Sequence, residues 1–429
     1  MNKKNILLIG GGGREHAIAW KLTQSERLGE LYIAPGNPGT AGCGTNVDLQ
    51  TSDFQKVLDF VESNHVDFVI VGPEEPLVNG ITDFLENEGV SVFGPSAKAA
   101  KLEGSKAFAK EFMQNFNIPT AAFRSFDSDN EEEITGYVKE LDSYPVVLKA
   151  DGLAGGKGVF ICDNFEEVEL RLRQFKEDSN LSKAAGTIVV EQFLKGEEAS
   201  VFVISDGHTA RILHNAQDHK RIGEGDTGLN TGGMGAYCPA PVITEDMLAR
   251  IDKEIIMPTI TGMQVAERDY KGILYIGLMI TDDGPKVVEY NCRFGDPECQ
   301  VILPSQNNDL LELVEATIEQ NLDSITIQTD GEYRCCVVIA SKGYPVKYEK
   351  GKKIYGLNQI DEDALLFHAG TSMNEGELVT NGGRVLNVVG KGATLQSAID
   401  HAYRNVSKVQ FENVYYRADI GAKGVKRLG

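Results

Sequence analysis

A glycine-rich segment with two lysines is the first part of the sequence that could bind phosphate. Residues 151–158 read DGLAGGKG, but Asp151 and Gly158 stand where the usual phosphate-binding loop has a glycine and a hydroxyl residue. The flanking apolar and β-branched runs predict two strands, so the segment is predicted to be the tip of a hairpin. With its glycines, Lys149 and Lys157, this tip is either a mobile cationic flap over phosphates or an ordinary surface turn.

A carboxylate and an amide two residues apart form the second chemical pattern. Glu289 and Asn291 lie in the predicted strand KVVEYN, which places both side chains on one face of it. Their oxygens suit Mg²⁺, with nucleotide phosphates filling other coordination positions. Arg293, Asp296 and Glu298 follow directly. These charges are either part of the same site or a salt-bridged turn.

A run of glycines at residues 10–13 follows the first predicted strand and opens a helix. Free N–H groups and the helix dipole favour an anion at such a position. The register of a dinucleotide-binding motif fails, because Glu15 or His16 stands where its last glycine belongs. A phosphorylated sugar therefore fits this turn better than a nicotinamide dinucleotide, and a tight turn without a ligand is the alternative.

The composition predicts a soluble globular protein of several domains. The chain has 429 residues, more than one hydrophobic core usually organises. Its formal net charge of -21 argues against a nucleic-acid or anionic-membrane surface, so a site for an anionic small molecule must be locally positive. Seven cysteines without a C-x-x-C pair predict reduced thiols, and no apolar run suits a signal peptide or a membrane span. These features predict a cytoplasmic protein.

Four blocks of predicted elements position these residues. Residues 1–103 alternate strands and helices, which predicts a parallel sheet whose ligands bind beyond the carboxyl ends of its strands. The block from 104 onward combines a helix that has Lys106 in its first turn with the glycine-rich hairpin. The block 218–300 begins with a long polar loop, a length that indicates function or disorder. The block 330–429 predicts a small α+β domain with a packing role and no catalytic constellation.

Taken in order, several segments resemble the phosphoribosylamine-glycine ligases, also called glycinamide ribonucleotide synthetases. They are GGGGREHAIAWKL, GPEEPL, LEGSKAFAK, LKADGLAGGKGV, EQFLKGEEASVFV, QDHKR, NTGGMGAY and EYNCRFGDPECQ, and they span nearly the whole chain. These enzymes belong to the ATP-grasp superfamily, in which two α+β units hold ATP between antiparallel sheets. The resemblance implies that the glycine-rich hairpin is the flap that closes on ATP.

The implied fold is a multidomain chain of the α/β and α+β classes. An N-terminal parallel α/β domain over residues 1–103 would bind substrate. An ATP-grasp domain would cover 104–328, with a small flap subdomain at about 122–195, and a C-terminal α+β domain would cover 329–429. Two residues depart from the family pattern, since Leu229 replaces a usual proline and Cys299 a common threonine.

The resemblance also implies a reaction. The γ-phosphoryl group of ATP would activate the carboxylate of glycine as glycyl phosphate. The amine of 5-phosphoribosylamine would then attack it to give glycinamide ribonucleotide, ADP and phosphate, a step of purine synthesis. Such chemistry needs cations and positioning more than a covalent catalyst. The implied enzyme uses ATP with Mg²⁺ or Mn²⁺, is a cytoplasmic monomer, and binds neither nucleic acid nor membrane.

Carried over by position, the resemblance implies roles for individual residues. The expected nucleotide ligands are Lys106, Lys149 and Lys157 for the phosphates, Glu191, Gln192, Phe193 and Leu194 for the adenine through backbone and apolar walls, and Glu198 for the ribose. The expected metal ligands are Glu289 and Asn291.

The substrate ligands are implied in the same way. Arg293 would pair with the carboxylate of glycine, and Asp296 or Asp218 would hold its ammonium group. The expected ligands of phosphoribosylamine are the backbone at Gly11, Gly12, Gly13 and Arg14 for the phosphate and Glu74 for the ribose.

Three alternatives stay open. Another ATP-grasp ligase of purine metabolism that activates formate or bicarbonate would share the nucleotide site and differ only in the acid pocket. A noncatalytic nucleotide-binding protein is disfavoured by the intact pair Glu289 and Asn291 and by both lysines. An NAD-dependent oxidoreductase depends on residues 10–13 alone.

Overall fold

The computed structural model of the chain describes residues 3–141, 143–155 and 157–429. Three main sheets organise these residues: a five-stranded parallel sheet, a four-stranded antiparallel sheet and a nine-stranded sheet. Gly156, in the tip of the glycine-rich hairpin, lies outside the described residues. Within the described ranges, no helix has both the length and the apolar character needed to cross a membrane.

The N-terminal part is a parallel sheet covered by helices, as the alternating pattern predicts. Its elements are β1 (Lys4–Gly10), α1 (Gly13–Leu22), β2 (Leu28–Pro35), β3 (Thr45–Asn46), α2 (Phe54–Ser63), β4 (Phe68–Val71), α3 (Glu74–Val78), α4 (Ile81–Asn87), β5 (Ser91–Phe93) and α5 (Ala97–Gly104). The strand order is β3-β2-β1-β4-β5. The order reverses beside β1, so the turn from β1 into α1 lies at the switch point where ligands of such sheets bind.

The second part is a helix followed by a four-stranded antiparallel sheet with its own buried core. Its elements are α6 (Lys106–Asn115), β6 (Phe123–Asp127), α7 (Glu131–Leu141), β7 (Val146–Ala150), β8 (Val159–Cys162), α8 (Phe165–Glu177), α9 (Ser179–Ser182) and β9 (Thr187–Gln192). Strands β7 and β8 pair antiparallel from Val146–Cys162 to Lys149–Val159. The predicted hairpin around the glycine-rich segment is therefore confirmed.

The third part contributes five of the nine strands of the largest sheet and the helices that cover them. Its elements are β10 (Glu197–Asp206), β11 (Ala210–Asp218), β12 (Arg221–Gly223), β13 (Thr227–Asn230), β14 (Gly235–Cys238), α10 (Glu245–Ile251), α11 (Met257–Val265), β15 (Lys271–Thr281), β16 (Gly284–Asn291), α12 (Cys299–Ser305) and α13 (Leu310–Ile318). Strands β12 and β13 form a small hairpin inside the predicted polar loop. This loop is thus partly structured.

The C-terminal part continues the same sheet. Its elements are β17 (Tyr333–Ser341), β18 (Leu365–His368), β19 (Thr371–Asn374), β20 (Glu377–Thr380), β21 (Arg384–Gly392), α14 (Leu395–Val406), β22 (Val414–Tyr415) and α15 (Ala422–Leu428). The sheet runs in the order β16-β15-β10-β11-β14-β17-β21-β18, and β22 also pairs with β17. Backbone hydrogen bonds between β14 and β17 therefore connect the strand with Glu289 to the C-terminal domain through one continuous sheet.

Candidate active site

The predicted metal ligands lie on β16, the edge strand of the largest sheet. Glu289 and Asn291 are two residues apart, so the pleat directs both side chains to one face while Tyr290 is buried on the other. Gly277 on β15 pairs with Glu289 on β16, and a Cβ at Gly277 would lie 3.2 Å from Glu289 Cγ. A glycine at this position leaves room for the carboxylate.

Positive charges surround the Glu289 carboxylate. Lys220 Nζ lies 3.7 Å from its Oε1 atom. Lys149 Nζ donates a hydrogen bond of 3.2 Å to the carbonyl oxygen of the residue before Glu289. Burial alone would raise the pKa of Glu289, but nearby positive charges outweigh burial and lower it. In decreasing order of effect, these charges belong to Lys220, Lys149, Lys106 and Arg293.

The glycine-rich hairpin is bonded to the first turn of α6. Ser105 Oγ caps the helix by accepting a hydrogen bond from the N–H three residues on. Asp151 Oδ1 accepts hydrogen bonds from Ala107 N at 2.7 Å and from Ser105 Oγ at 3.0 Å. Lys106 Nζ donates to the carbonyl oxygen of Gly152 at 3.2 Å. Asp151 stands where a phosphate-binding loop has glycine, and its carboxylate connects the hairpin to the helix by these hydrogen bonds.

A buried carboxylate holds Lys149 in place. Glu191 Oε1 lies 2.9 Å from Lys149 Nζ, and Glu191 Oε2 lies 2.8 Å from Lys110 Nζ. Lys110 Nζ also donates to Thr120 Oγ1 at 2.7 Å. Burial would raise the pKa of Glu191, but the two lysines lower it below its ordinary value. Sequence reasoning missed Lys110, although its spacing of four from Lys106 puts both lysines on one helix face.

The predicted adenine-binding segment connects the flap sheet to β10. Its residues, of which only the first is buried, are Glu191, Gln192, Phe193 and Leu194. Glu198 follows on β10, with Oε2 3.1 Å from Lys220 Nζ. The structure therefore brings the predicted ribose ligand next to the predicted metal site. Lys157 is exposed on the hairpin, and it forms no salt bridge with any residue of the described ranges.

Arg293 joins the N-terminal domain to the end of β16, where the predicted metal ligands lie. Its Nε atom lies 3.2 Å from Glu74 Oε2, and its Nη2 atom lies 3.0 Å from Glu103 Oε1 and 3.3 Å from Asn291 Oδ1. Burial would lower the pKa of Arg293, but the two glutamates outweigh burial and raise it. Arg293 and Glu74 are thus in contact, although the sequence analysis gave them to different substrates.

The two aspartates predicted for an ammonium group have different surroundings. Asp296 Oδ2 lies 3.1 Å from Arg384 Nη2, and Asp296 Oδ1 accepts a hydrogen bond of 2.7 Å from Gln300 Nε2. Burial raises the pKa of Asp218, and burial together with the charge of Asp218 raises the pKa of Glu298. Among the residues that the structure describes, Asp218 has no salt bridge to a cation, whereas Asp296 has one.

The glycines before α1 make room for the side chain of Glu15. The N–H of Gly12 donates to Glu15 Oε2 at 2.6 Å, and Arg14 Nε lies 2.6 Å from Glu15 Oε1. A Cβ at Gly10 would lie 2.5 Å from Glu15 Cγ. The carboxylate neutralises the helix start, as a phosphate would. The prediction of free N–H groups at residues 10–13 is therefore wrong at Gly12, and phosphate binding at residues 11–14 stays a prediction.

The start of the polar loop is hydrogen-bonded to the C-terminal domain next to the predicted metal site. Lys423 Nζ donates to the carbonyl oxygen of Asp218 at 2.9 Å. The N–H of Gly421 donates to His219 Nε2 at 3.3 Å. Lys220 follows these two residues directly. The predicted role of this domain is packing, and in the structure the domain also holds the segment that carries Lys220.

The hairpin β12–β13 is held in the same way. Arg417, of which 1% is exposed, donates to Asp226 Oδ1 at 2.8 Å and to Asp419 Oδ2 at 2.7 Å.

Leu229, one of the two departures from the family pattern, is 55% exposed on β13. Cys299, the other departure, is buried, and its thiol donates to the carbonyl oxygen of Arg14 at 3.8 Å.

The four-stranded flap sheet and the nine-stranded sheet, both antiparallel, meet where Lys149 of the first contacts β16 of the second. At this contact the lysines of the site lie near the acid–amide pair of β16. This architecture is that of the ATP-grasp class. A solved biotin carboxylase complex from Campylobacter jejuni shares the fold with a TM-score of 0.71 at 14% identity, over 98% of each chain.

Family models for phosphoribosylglycinamide synthetase match in succession: the N domain over residues 4–103, the ATP-grasp (A) domain over 104–299 and the C domain over 334–423. The chain belongs to the phosphoribosylglycinamide synthetase family. The resemblance inferred from sequence motifs and the multidomain α/β and α+β fold class are both confirmed.

Relatives of this family match over the full length. The phosphoribosylamine–glycine ligase of Brucella melitensis is 47% identical over 98% of each chain. The ligase of the same name from Rhizobium meliloti is 48% identical over 98% of this chain and 99% of the relative. The crystal structure of the Thermotoga maritima ligase superposes with a TM-score of 0.86 at 36% identity, over 97% of this chain and all of that one.

Proposed function

We propose that this protein joins glycine to 5-phospho-D-ribosylamine at the expense of ATP, giving glycinamide ribonucleotide, ADP and phosphate. The observation that carries the proposal is the convergence of Lys149, Lys220 and Glu289 on one site, within a family whose members are named for this ligation. Separate cavities for Lys149 and Glu289 would have excluded a shared nucleotide. The contact of Lys149 with the carbonyl next to Glu289 supports a single nucleotide site.

The chemistry follows from the poor reactivity of a carboxylate. A carboxylate oxygen of glycine attacks the γ-phosphorus of ATP, and the bond to ADP breaks. The amine then attacks the carbonyl carbon of glycyl phosphate, and phosphate leaves with the bridging oxygen. The protein contributes by neutralising charge on the transferring group and by excluding water under the flap. Lys106 and Lys149 are the proposed phosphate ligands, with Lys157 closing from the hairpin.

The metal site fits a divalent cation of the hard, oxygen-binding kind. Glu289 and Asn291 present a carboxylate and an amide oxygen on one face of a strand, and the ammonium group of Lys220 stands in for a cation beside them. Mg²⁺ or Mn²⁺ held there would supply positive charge to the triphosphate. The proposed adenine ligands are residues 191–194, and Glu198 is the proposed ribose ligand.

The acid pocket is proposed around Arg293 and Asp218. Arg293 would receive the carboxylate of glycine by exchanging one of its two glutamate partners, and Glu74 would then turn to the ribose of phosphoribosylamine. Asp218 is preferred over Asp296 for the ammonium group, because Arg384 already neutralises Asp296. Residues 11–14 remain the proposed phosphate site of phosphoribosylamine.

The cellular location, oligomeric state and binding partners of the enzyme are proposed from its net charge and its cysteines. A net charge of -21 and reduced cysteines support a cytoplasmic monomer that binds neither nucleic acid nor membrane. We keep the domain boundaries at 1–103, 104–328 and 329–429, with the flap at about 122–195, as proposals.

The test is the substrate dependence of ADP release. ADP should form only when glycine and phosphoribosylamine are both present, and glycine labelled with ¹⁸O in its carboxylate should deliver one labelled oxygen to the released phosphate. Equal ADP release with formate or bicarbonate would favour the rival ligases. Nucleotide binding without ADP release under any condition would favour a noncatalytic protein.

A further inference from the structure

Lys220 lies in the proposed active site, but no role was predicted for it from the sequence. Its ammonium group lies between two carboxylates, 3.1 Å from Glu198 Oε2 and 3.7 Å from Glu289 Oε1. Glu198 is a proposed nucleotide ligand and Glu289 a proposed metal ligand. Lys220 therefore occupies the boundary between the nucleotide and the metal.

The backbone of Lys220 is held by hydrogen bonds, whereas its side chain is partly exposed. Its carbonyl oxygen accepts hydrogen bonds from Thr231 N at 2.8 Å and Thr231 Oγ1 at 2.9 Å. The two preceding residues, Asp218 and His219, are bonded to the C-terminal domain. The Lys220 side chain is 31% exposed, and its contact with Glu289 is long for an ion pair. A partly exposed ammonium group on a fixed backbone, closer to Glu198 than to Glu289, can give up its contact with Glu289 and keep its contact with Glu198.

The other lysines of the site lack this freedom. Lys149 is 6% exposed and is held by Glu191 and by a backbone carbonyl. Lys106 donates to the carbonyl oxygen of Gly152. Lys110 is bonded to both Glu191 and Thr120. Lys220 differs from these lysines because both of its partners are proposed ligands: Glu198 of the nucleotide and Glu289 of the metal.

We propose that Lys220 is the counter-ion of Glu289 in the metal-free protein, that a divalent cation displaces it from Glu289, and that the displaced ammonium group contacts the transferring phosphoryl group. This inference rests on the proposed function for its last part. Two cations cannot neutralise one carboxylate at close range without repelling each other. In the transfer, the bond from phosphorus to ADP breaks and a bond to the glycine carboxylate forms. Lys220 gains and loses no proton in this step.

The displacement predicts opposite changes in metal affinity and turnover. In Lys220→Met, a competitor for Glu289 is gone, so Mn²⁺ alone should bind about tenfold more tightly to the nucleotide-free protein, the equivalent of about 1.4 kcal/mol. Turnover should fall by about 10², because one stabilising charge on the transferring group is lost. Lys220→Arg should keep Mn²⁺ affinity and turnover closer to the parent. A purely structural role would lower both in Lys220→Met.

The experiment is titration of free Mn²⁺ by electron paramagnetic resonance, paired with steady-state ADP release. Lys253→Met removes an exposed lysine outside the site and is the matched control, expected to change neither measurement. Glu289→Ala should abolish the Mn²⁺ site. If Lys220→Met fails to fold in circular dichroism, Lys220→Gln takes its place.

Unchanged or weaker Mn²⁺ binding in the folded Lys220 variant would overturn the counter-ion role. Tighter binding with parental turnover would overturn the contact with the phosphoryl group. The metal titration uses no substrate, so its outcome is separate from the outcome of the glycine-dependence test. A wrong substrate assignment would leave the tightened Mn²⁺ binding in place.

Discussion

Two clusters of lysine and glutamate side by side in the proposed nucleotide site differ in burial. In the first, Lys110, Lys149 and Glu191 are 2%, 6% and 4% exposed, and both ion pairs are shorter than 3.0 Å. In the second, which contains Lys220, Glu198 and Glu289, the side chains are 31%, 43% and 36% exposed, and the ion pairs are 3.1 and 3.7 Å long.

The difference in burial indicates that the first cluster has a structural role and the second a role in the proposed chemistry. Breaking a buried ion cluster leaves a charge without a partner in a poorly solvated place, so such a cluster keeps one arrangement. A half-exposed cluster loses little when its ion pairs break, because water replaces the partner. The first cluster therefore fixes where Lys149 lies, whereas the second is free to exchange its lysine for a metal ion and phosphates.

The largest expected effect on stability is that of Glu191→Ala. Removing the shared carboxylate leaves Lys110 and Lys149 buried and mutually repelling, which should lower the free energy of unfolding by about 3–5 kcal/mol. Urea unfolding followed by circular dichroism measures this loss. Glu198→Ala is the matched control in the half-exposed cluster. Equal losses in the two variants would abolish the distinction between the clusters.

An intermediate effect is expected from pH at Lys110. Burial lowers the pKa of Lys110 to about 8, and the charge of Glu191 offsets burial only in part. Between about pH 8 and the ordinary lysine pKa, the unfolded chain holds more protons than the folded one, so stability gains from rising pH.

The Lys110→Met variant lacks this gain. Its free energy of unfolding should fall relative to the parent as pH rises from 8 to 10, by about 2 kcal/mol. Urea unfolding of both proteins across this range gives the difference, and other alkaline groups cancel in the comparison. A difference that does not change with pH would show that the Lys110 ammonium group is not destabilised by burial.

The smallest expected effect is that of Glu198→Gln on stability. Its ion pair with Lys220 is half-exposed, so the free energy of unfolding should change by less than about 1 kcal/mol. The same urea measurement applies, at low and at high salt. A loss as large as that of Glu191→Ala would mean that the second cluster is as rigid as the first.

Local patterns predicted the parts of the site that lie within one strand or turn. The pleat placed Glu289 and Asn291 on one face, and apolar runs on both sides of the glycine-rich segment predicted its hairpin. Each depends on neighbours in sequence. The family resemblance supplied the fold class, because its motifs are spread over the whole chain.

Contacts between distant segments were beyond sequence reasoning. The pairing of Lys110 with Glu191 joins a helix to a strand 81 positions away along the chain, and nothing local marks it except the spacing from Lys106. Free N–H groups were expected at residues 10–13 because these residues open a helix, and nothing in the sequence showed that the side chain of Glu15 turns back to accept from Gly12. The hold of Lys423 on Asp218 needs the fold of the C-terminal domain.

Residues 415–428 close onto the loop that carries Lys220, and Arg427 of α15 pairs with Glu197 at the start of β10. A protease that removes only this stretch spares most strands but releases the loop backbone next to the site. Clipped material would then keep most of its strands and still give poor turnover. Intact mass, measured before any kinetic assay, is the safeguard that this arrangement calls for.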